Sequence, residues 1–176
     1  MLRAPHMNID LRLDKVFLNK TPSTIYLKLT IIKGKDWNIV SDEGFDQTKP
    51  TNRMRNASIY KINETLSFSL KARSPMGWPK ILIEVFKSDL NYKSSELIGY
   101  AVMTVPYSGG KTELSLPVFS PVSENVFGFK NFAAFKYKEF LLSSQDRFGI
   151  KCSTIGMLKL QLNLDTEEFK LFGLDL

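Results

Sequence analysis

The chain has 176 residues, 24 Lys plus Arg against 18 Asp plus Glu, one histidine and one cysteine, for a net charge of +6. That length fits a single domain with a self-sufficient core, and the basic residues are scattered rather than clustered, which argues against nucleic acid as a partner and leaves room for weak attraction to anionic membranes. With only His6 and Cys152 available, a histidine-centred triad, a zinc site and an intrachain disulfide are all excluded.

Residues 1–7 read as a flexible N-terminus or a cloning remnant, with Pro5-His6-Met7 at its end. The opening residues hold no apolar block, and no stretch approaches the ~18 apolar residues of a membrane helix, so a soluble, cytosolic protein is expected. Ile9 to Asp14 alternates apolar and charged residues strictly, as a half-buried strand does. Thr24 to Lys33 is rich in β-branched and aromatic residues and reads as a more deeply buried strand. Residues 36–58 are polar, contain Gly44 and Pro50, and lack periodicity, which predicts a long surface loop.

Alternation returns over 64–70, 80–86, 97–105 and 112–119. The segment 121–154 interrupts it: Phe127, Phe129, Phe132, Phe135 and Phe140 lie among lysines at spacings that suit a short helix over 125–145. This aromatic-rich insertion is a candidate cap for an open sheet edge or a candidate partner surface. Residues 157–164 give the last clear strand, and 173–176 form a tail. Seven or so short strands separated by turns predict an all-β antiparallel sandwich.

Chemistry-bearing patterns are few. Gly110-Lys111-Thr112 imitates the end of a phosphate-binding loop, but Val105 stands where the first glycine is needed. No pair of carboxylates is set apart for acid and base work, so neither an enzyme, a cofactor nor a small-molecule substrate is expected. The lone Cys152 is expected to be a buried packing residue.

Four landmarks remain: Gly34-Lys35-Asp36-Trp37; Gly77-Trp78-Pro79; Gly99-Tyr100; and Val105-Pro106 through Gly110. In this order they resemble the signatures of the B9 domain family, Gly-Trp-Pro being the most specific. Ala101 departs from the family's Gly-Tyr-Gly, and Gly109 replaces the second proline of its Val-Pro-x-x-Pro-Gly turn. The final strand and tail are similar to those of a small, single-domain branch of the family, which implies one C2-like domain over 8–172. The resemblance implies a non-enzymatic scaffold at the ciliary transition zone, associated with the cytoskeleton, that binds two other B9-domain proteins. It further implies contact with a wider tectonic-type assembly that supports ciliogenesis and a membrane diffusion barrier.

Trp37, Gly77, Trp78, Pro79, Gly99 and Pro106 then serve as structural signature residues, with Trp78 as an anchor at a sandwich corner. C2-like sandwiches often hold calcium between apical loops, but Lys87 occupies the first ligand position here, and Asp89 with Glu96 makes an incomplete set. Asp42, Glu43 and Asp46 match no ligand spacing. The rival reading is a peripheral lipid-binding module docking through Lys87 and Lys93.

Overall fold

The computed structural model describes residues 4–42, 46–55, 57–88, 94–121, 142, 151–166 and 168–169. Nine strands follow in chain order: β1 (His6–Leu18), β2 (Thr24–Ile32), β3 (Trp37–Asp42), β4 (Thr51–Asn52), β5 (Ile59–Ala72), β6 (Lys80–Ser88), β7 (Ser95–Thr104), β8 (Gly110–Pro121) and β9 (Cys152–Asp165). They form one antiparallel sheet in the order β3-β5-β1-β9-β8-β7-β6-β2-β4. The step from β8 to β7 is a single residue pair, Tyr100 opposite Phe119, so the sheet curls there into two facing layers. One layer is β3-β5-β1-β9-β8 and the other β7-β6-β2-β4: the sandwich that the alternation predicts.

Alternation decides which side chains meet. From the first layer, Ile9, Leu11, Leu13 and Val16 of β1, Phe68 and Leu70 of β5, and Leu158, Leu160 and Leu162 of β9 point inward. From the second, Ile25, Leu27, Ile81, Ile83, Val85, Ala101 and Met103 face them. Burying a side chain of this kind contributes roughly 1.5–3 kcal/mol, so this apolar interior is the main stabilising term. A bulge in β1 between Leu13 and Lys15 re-aims the strand, and on β5 the nearby Asn63 takes a left-handed φ of 51°, which asparagine tolerates better than most residues.

The second layer is apolar on its outer side too. Leu82, Leu97, Tyr100 and Phe119 are buried there, and Leu142 packs against them while its carbonyl accepts a hydrogen bond from Lys80 Nζ at 2.9 Å. Glu84, opposite Tyr100 on β7, is buried on the same side. Burial raises the Tyr100 phenol well above its ordinary pKa, and the neighbouring Glu84 carboxylate pushes it in the same direction.

Several expectations need correction. Residues 36–58 are not one long loop: β3 and β4 lie within them, and Gln47 bridges to Lys28 of β2. The N-terminus is built into the sheet from residue 5, because the Pro5 carbonyl accepts from the Ala72 amide at 3.1 Å and Met7 is fully buried. Cys152 is exposed at the start of β9 rather than buried. The ends of the expected insertion, Pro121 and Cys152 to Thr154, belong to β8 and β9. The helix expected over 125–145 falls, apart from Leu142, outside the described residues, as does the tail 173–176.

Candidate functional site

The sequence landmarks converge at one end of the sandwich. Gly34, just after β2, and Gly77, just before β6, press their backbones together, and the Gly34 amide donates to the Gly77 carbonyl at 2.8 Å. A Cβ on Gly77 would sit 2.4 Å from Gly34 Cα, and one on Gly34 would sit 2.7 Å from Gly77 Cα. Gly77 also has a φ of 70°, in the left-handed region that favours glycine. Both glycines are therefore required by the close crossing of two turns.

That crossing aims the two tryptophans at each other. Trp37 is fully buried and Trp78 nearly so, and their rings meet edge to face at 5.0 Å. Each indole has a carbonyl acceptor: Trp37 Nε1 donates to Met76 at 3.1 Å, and Trp78 Nε1 donates to Val105 at 2.7 Å. Buried Pro79 accepts the Val105 amide at 3.1 Å, so Val105-Pro106 is strapped to Gly77-Trp78-Pro79 by a reciprocal pair of bonds. Tyr107 lies over Trp78 at 4.8 Å while remaining 56% exposed.

A polar brace holds the first landmark. The Asp36 carbonyl accepts the Arg73 amide at 2.9 Å, and its carboxylate accepts the Ser74 hydroxyl at 2.7 Å. The Lys33 ammonium donates to the Trp37 carbonyl. The seal comes from the far end of the chain, where Phe169, fully buried, stacks on Trp37 at 5.9 Å and meets Trp78 at 6.2 Å. Beside it, Glu168 accepts the His6 amide at 3.0 Å, which ties the tail to β1.

Gly99 stands apart from this corner. It lies where β7 approaches β8, and a Cβ there would meet Ile155 Cδ1 at 2.7 Å, Val118 Cγ1 at 3.0 Å and the Phe119 carbonyl at 3.1 Å. Its smallness lets the two layers join at Tyr100 and Phe119. Ala101, in place of the family's second glycine, is fully buried in the core.

The other candidates fare differently. Phe127, Phe129, Phe132, Phe135, Phe140 and Lys93 lie outside the described residues. Lys87 is described, and its ammonium lies 2.6 Å from the Glu96 carboxylate directly across β7. Glu96 is thus engaged by a cation, and Asp46 lies 3.9 Å from Lys28. Among the described residues no group of three His, Cys, Asp or Glu is placed to hold a metal ion. No described helix is long and apolar enough to cross a membrane.

One surface feature escaped the sequence reading. β3 is an outer strand of the sheet, and its Ile39 and Val40 are both exposed. Val40 is the bulged residue against β5, a device that blunts an open edge.

Residues 10–165 match the family model described as B9-C2, "Ciliary basal body-associated, B9 protein". The chain is 24% identical to human B9 domain-containing protein 1 over 86% of this chain and 77% of the relative. It is 23% identical to that of Xenopus laevis over 85% and 78%, and 24% identical to B9 domain-containing protein 2 of Drosophila melanogaster over 86% and 88%. Its fold overlays on the crystal structure of S. officinalis PLC21 with a TM-score of 0.48 at 12% identity, covering 94% of this chain and 16% of that one. The family match runs from β1 to the last residue of β9, and with it the chain belongs to the B9 family of ciliary basal body-associated proteins.

Proposed function

We propose that this protein is a non-enzymatic scaffold subunit of the ciliary transition zone, which binds other B9-domain proteins and supports ciliogenesis and the diffusion barrier at the ciliary membrane. The observation that carries this reading is the family match over residues 10–165, together with relatives named for both small B9 proteins. The corner adds to it. Trp37, Gly77, Trp78 and Pro79 are occupied in holding the fold, which shifts function from the signature to outer surfaces.

Two such surfaces are proposed as partner contacts: the open sheet edge at β3, with Ile39 and Val40, and the aromatic segment containing Phe127, Phe129, Phe132, Phe135 and Phe140. The lipid-docking alternative loses support at Lys87, whose ammonium is already engaged by Glu96.

The test is co-purification of the tagged full chain with B9-domain partners. Phe132→Asp combined with Phe135→Asp is expected to abolish recovery of the partners while the protein keeps a cooperative thermal transition. Undiminished recovery by the folded variant would remove that segment as a contact, and failure of the unsubstituted chain to recover any B9 protein would overturn the scaffold reading.

A further inference from the structure

Three lysines far apart in the sequence stand side by side on the outward face of the first layer. Lys61 of β5 lies directly opposite Lys15 of β1, and Lys15 lies directly opposite Lys159 of β9. Two residues further along the same strands runs an apolar row, Ile59, Phe17 and Met157, continued by Pro117 on β8. The intervening residues Tyr60, Val16 and Leu158 point the other way and are fully buried, so both rows share the outer face.

Directly opposed like charges destabilise a sheet. Among the described residues none of these three lysines has an ion-pair partner, and the nearby Asp14 is bound to Arg12 at 3.2 Å. Lys15 and Lys159 instead hang over the same Phe17 ring, 5.7 and 5.9 Å from its centroid. Lys61, Lys159 and Pro117 are exposed, and Met157 is 39% exposed. No carboxylate among the described residues offsets this row, so its charge is turned outward.

We infer that this surface docks an acidic protein segment in which carboxylates alternate with apolar side chains. At ~4.8 Å between strands, the lysine row spans about 10 Å and the apolar row about 14 Å, a strip suited to a short segment laid across the strands. The same outer face argues against a membrane. Asp10, Glu113 and Asp165 lie on it further along the strands from the lysine row, and a planar anionic bilayer would meet those carboxylates together with the lysines, whereas a narrow segment meets only the basic end. This inference stands independently of the ciliary assignment.

The test uses the full chain and a fluorescent synthetic peptide of alternating Glu and Phe, with a Lys and Phe counterpart as the charge control. Phosphatidylcholine vesicles with and without phosphatidylserine are assayed in parallel. The acidic peptide is expected to raise anisotropy, the basic one not to, and Lys159→Glu to weaken binding by about tenfold or more. The same substitution places a carboxylate opposite Lys15 and removes one cation from the Phe17 ring, two opposed effects of similar size, so Tm is expected to stay within about 2 °C, which shows that the variant folds. Lys61→Glu, at the exposed end of the row, serves as the second variant. Acidic-peptide binding that is absent, or unchanged in both variants, would overturn the inference. So would vesicle binding that the substitutions abolish in place of peptide binding.

Discussion

Gly77→Ala is expected to destabilise the protein by about 3 kcal/mol, read as a lower denaturant midpoint with an unchanged slope. Two costs add. An L side chain at a φ of 70° is strained by roughly 1–2 kcal/mol, and its Cβ would fall 2.4 Å from Gly34 Cα, where backbone rather than a flexible side chain stands in the way. Relieving that clash means separating the turn after β2 from the turn before β6, which pulls Trp37 away from Trp78. Gly110→Ala is the matched control: Gly110 also has a positive φ, 110°, but nothing lies within 4 Å of its Cβ position. It carries the strain without the collision and is expected to cost no more than about half as much. Equal effects at the two positions would show that backbone strain alone explains the glycine.

Phe169→Ala is expected to cost about 3–4 kcal/mol, because the ring is fully buried and neighbouring groups can collapse only partly into the space it leaves. Its neighbours supply a local readout. The chain has two tryptophans, Trp37 and Trp78, and Phe169 touches both, so intrinsic emission reports on this corner alone. The substitution is expected to shift native-state emission to the red as water reaches the indoles. Phe169→Leu, which keeps most of the volume, should lose far less stability and keep the emission maximum. An Ala variant with unchanged emission and less than about 1 kcal/mol lost would mean that the tail does not seal the corner in solution.

How much of this was readable beforehand depends on how each segment is buried. Seven strands announced themselves: those with one face on the core and the other in water, such as β1 and β9, write an alternating pattern into the chain, while β2 shows through its β-branched and aromatic content. β3 left no such trace: Ile39 and Val40 are both exposed and the bulge at Val40 breaks the period, while β4 is too short to show one. At the N-terminus Met7 continues the inward set of Ile9, Leu11 and Leu13, so the period was present but began inside a segment that looked like a remnant. Cys152 sits with Ser153 and Thr154 at an exposed strand start, where residue type misleads about burial.

The site shows the same division. That Trp37 and Trp78 would be anchors followed from their size and their Gly and Pro neighbours. That they would meet edge to face under Phe169 did not, because three separate turns and the chain's end are brought together by topology. The row of Lys15, Lys61 and Lys159 was hidden for the same reason. A count of charges along the chain sees dispersed lysines, and only the register of β5, β1 and β9 places them side by side.

The most direct measurement of the scaffold role is live imaging of the fluorescently tagged full chain in ciliated cells, with a basal-body marker in a second colour. The expected result is a compact ring just above the basal body that persists when Lys87 is changed to Glu and disperses when Phe132→Asp and Phe135→Asp together remove partner binding. A diffuse cytosolic or plasma-membrane signal for the unsubstituted chain would contradict the scaffold role at the ciliary base.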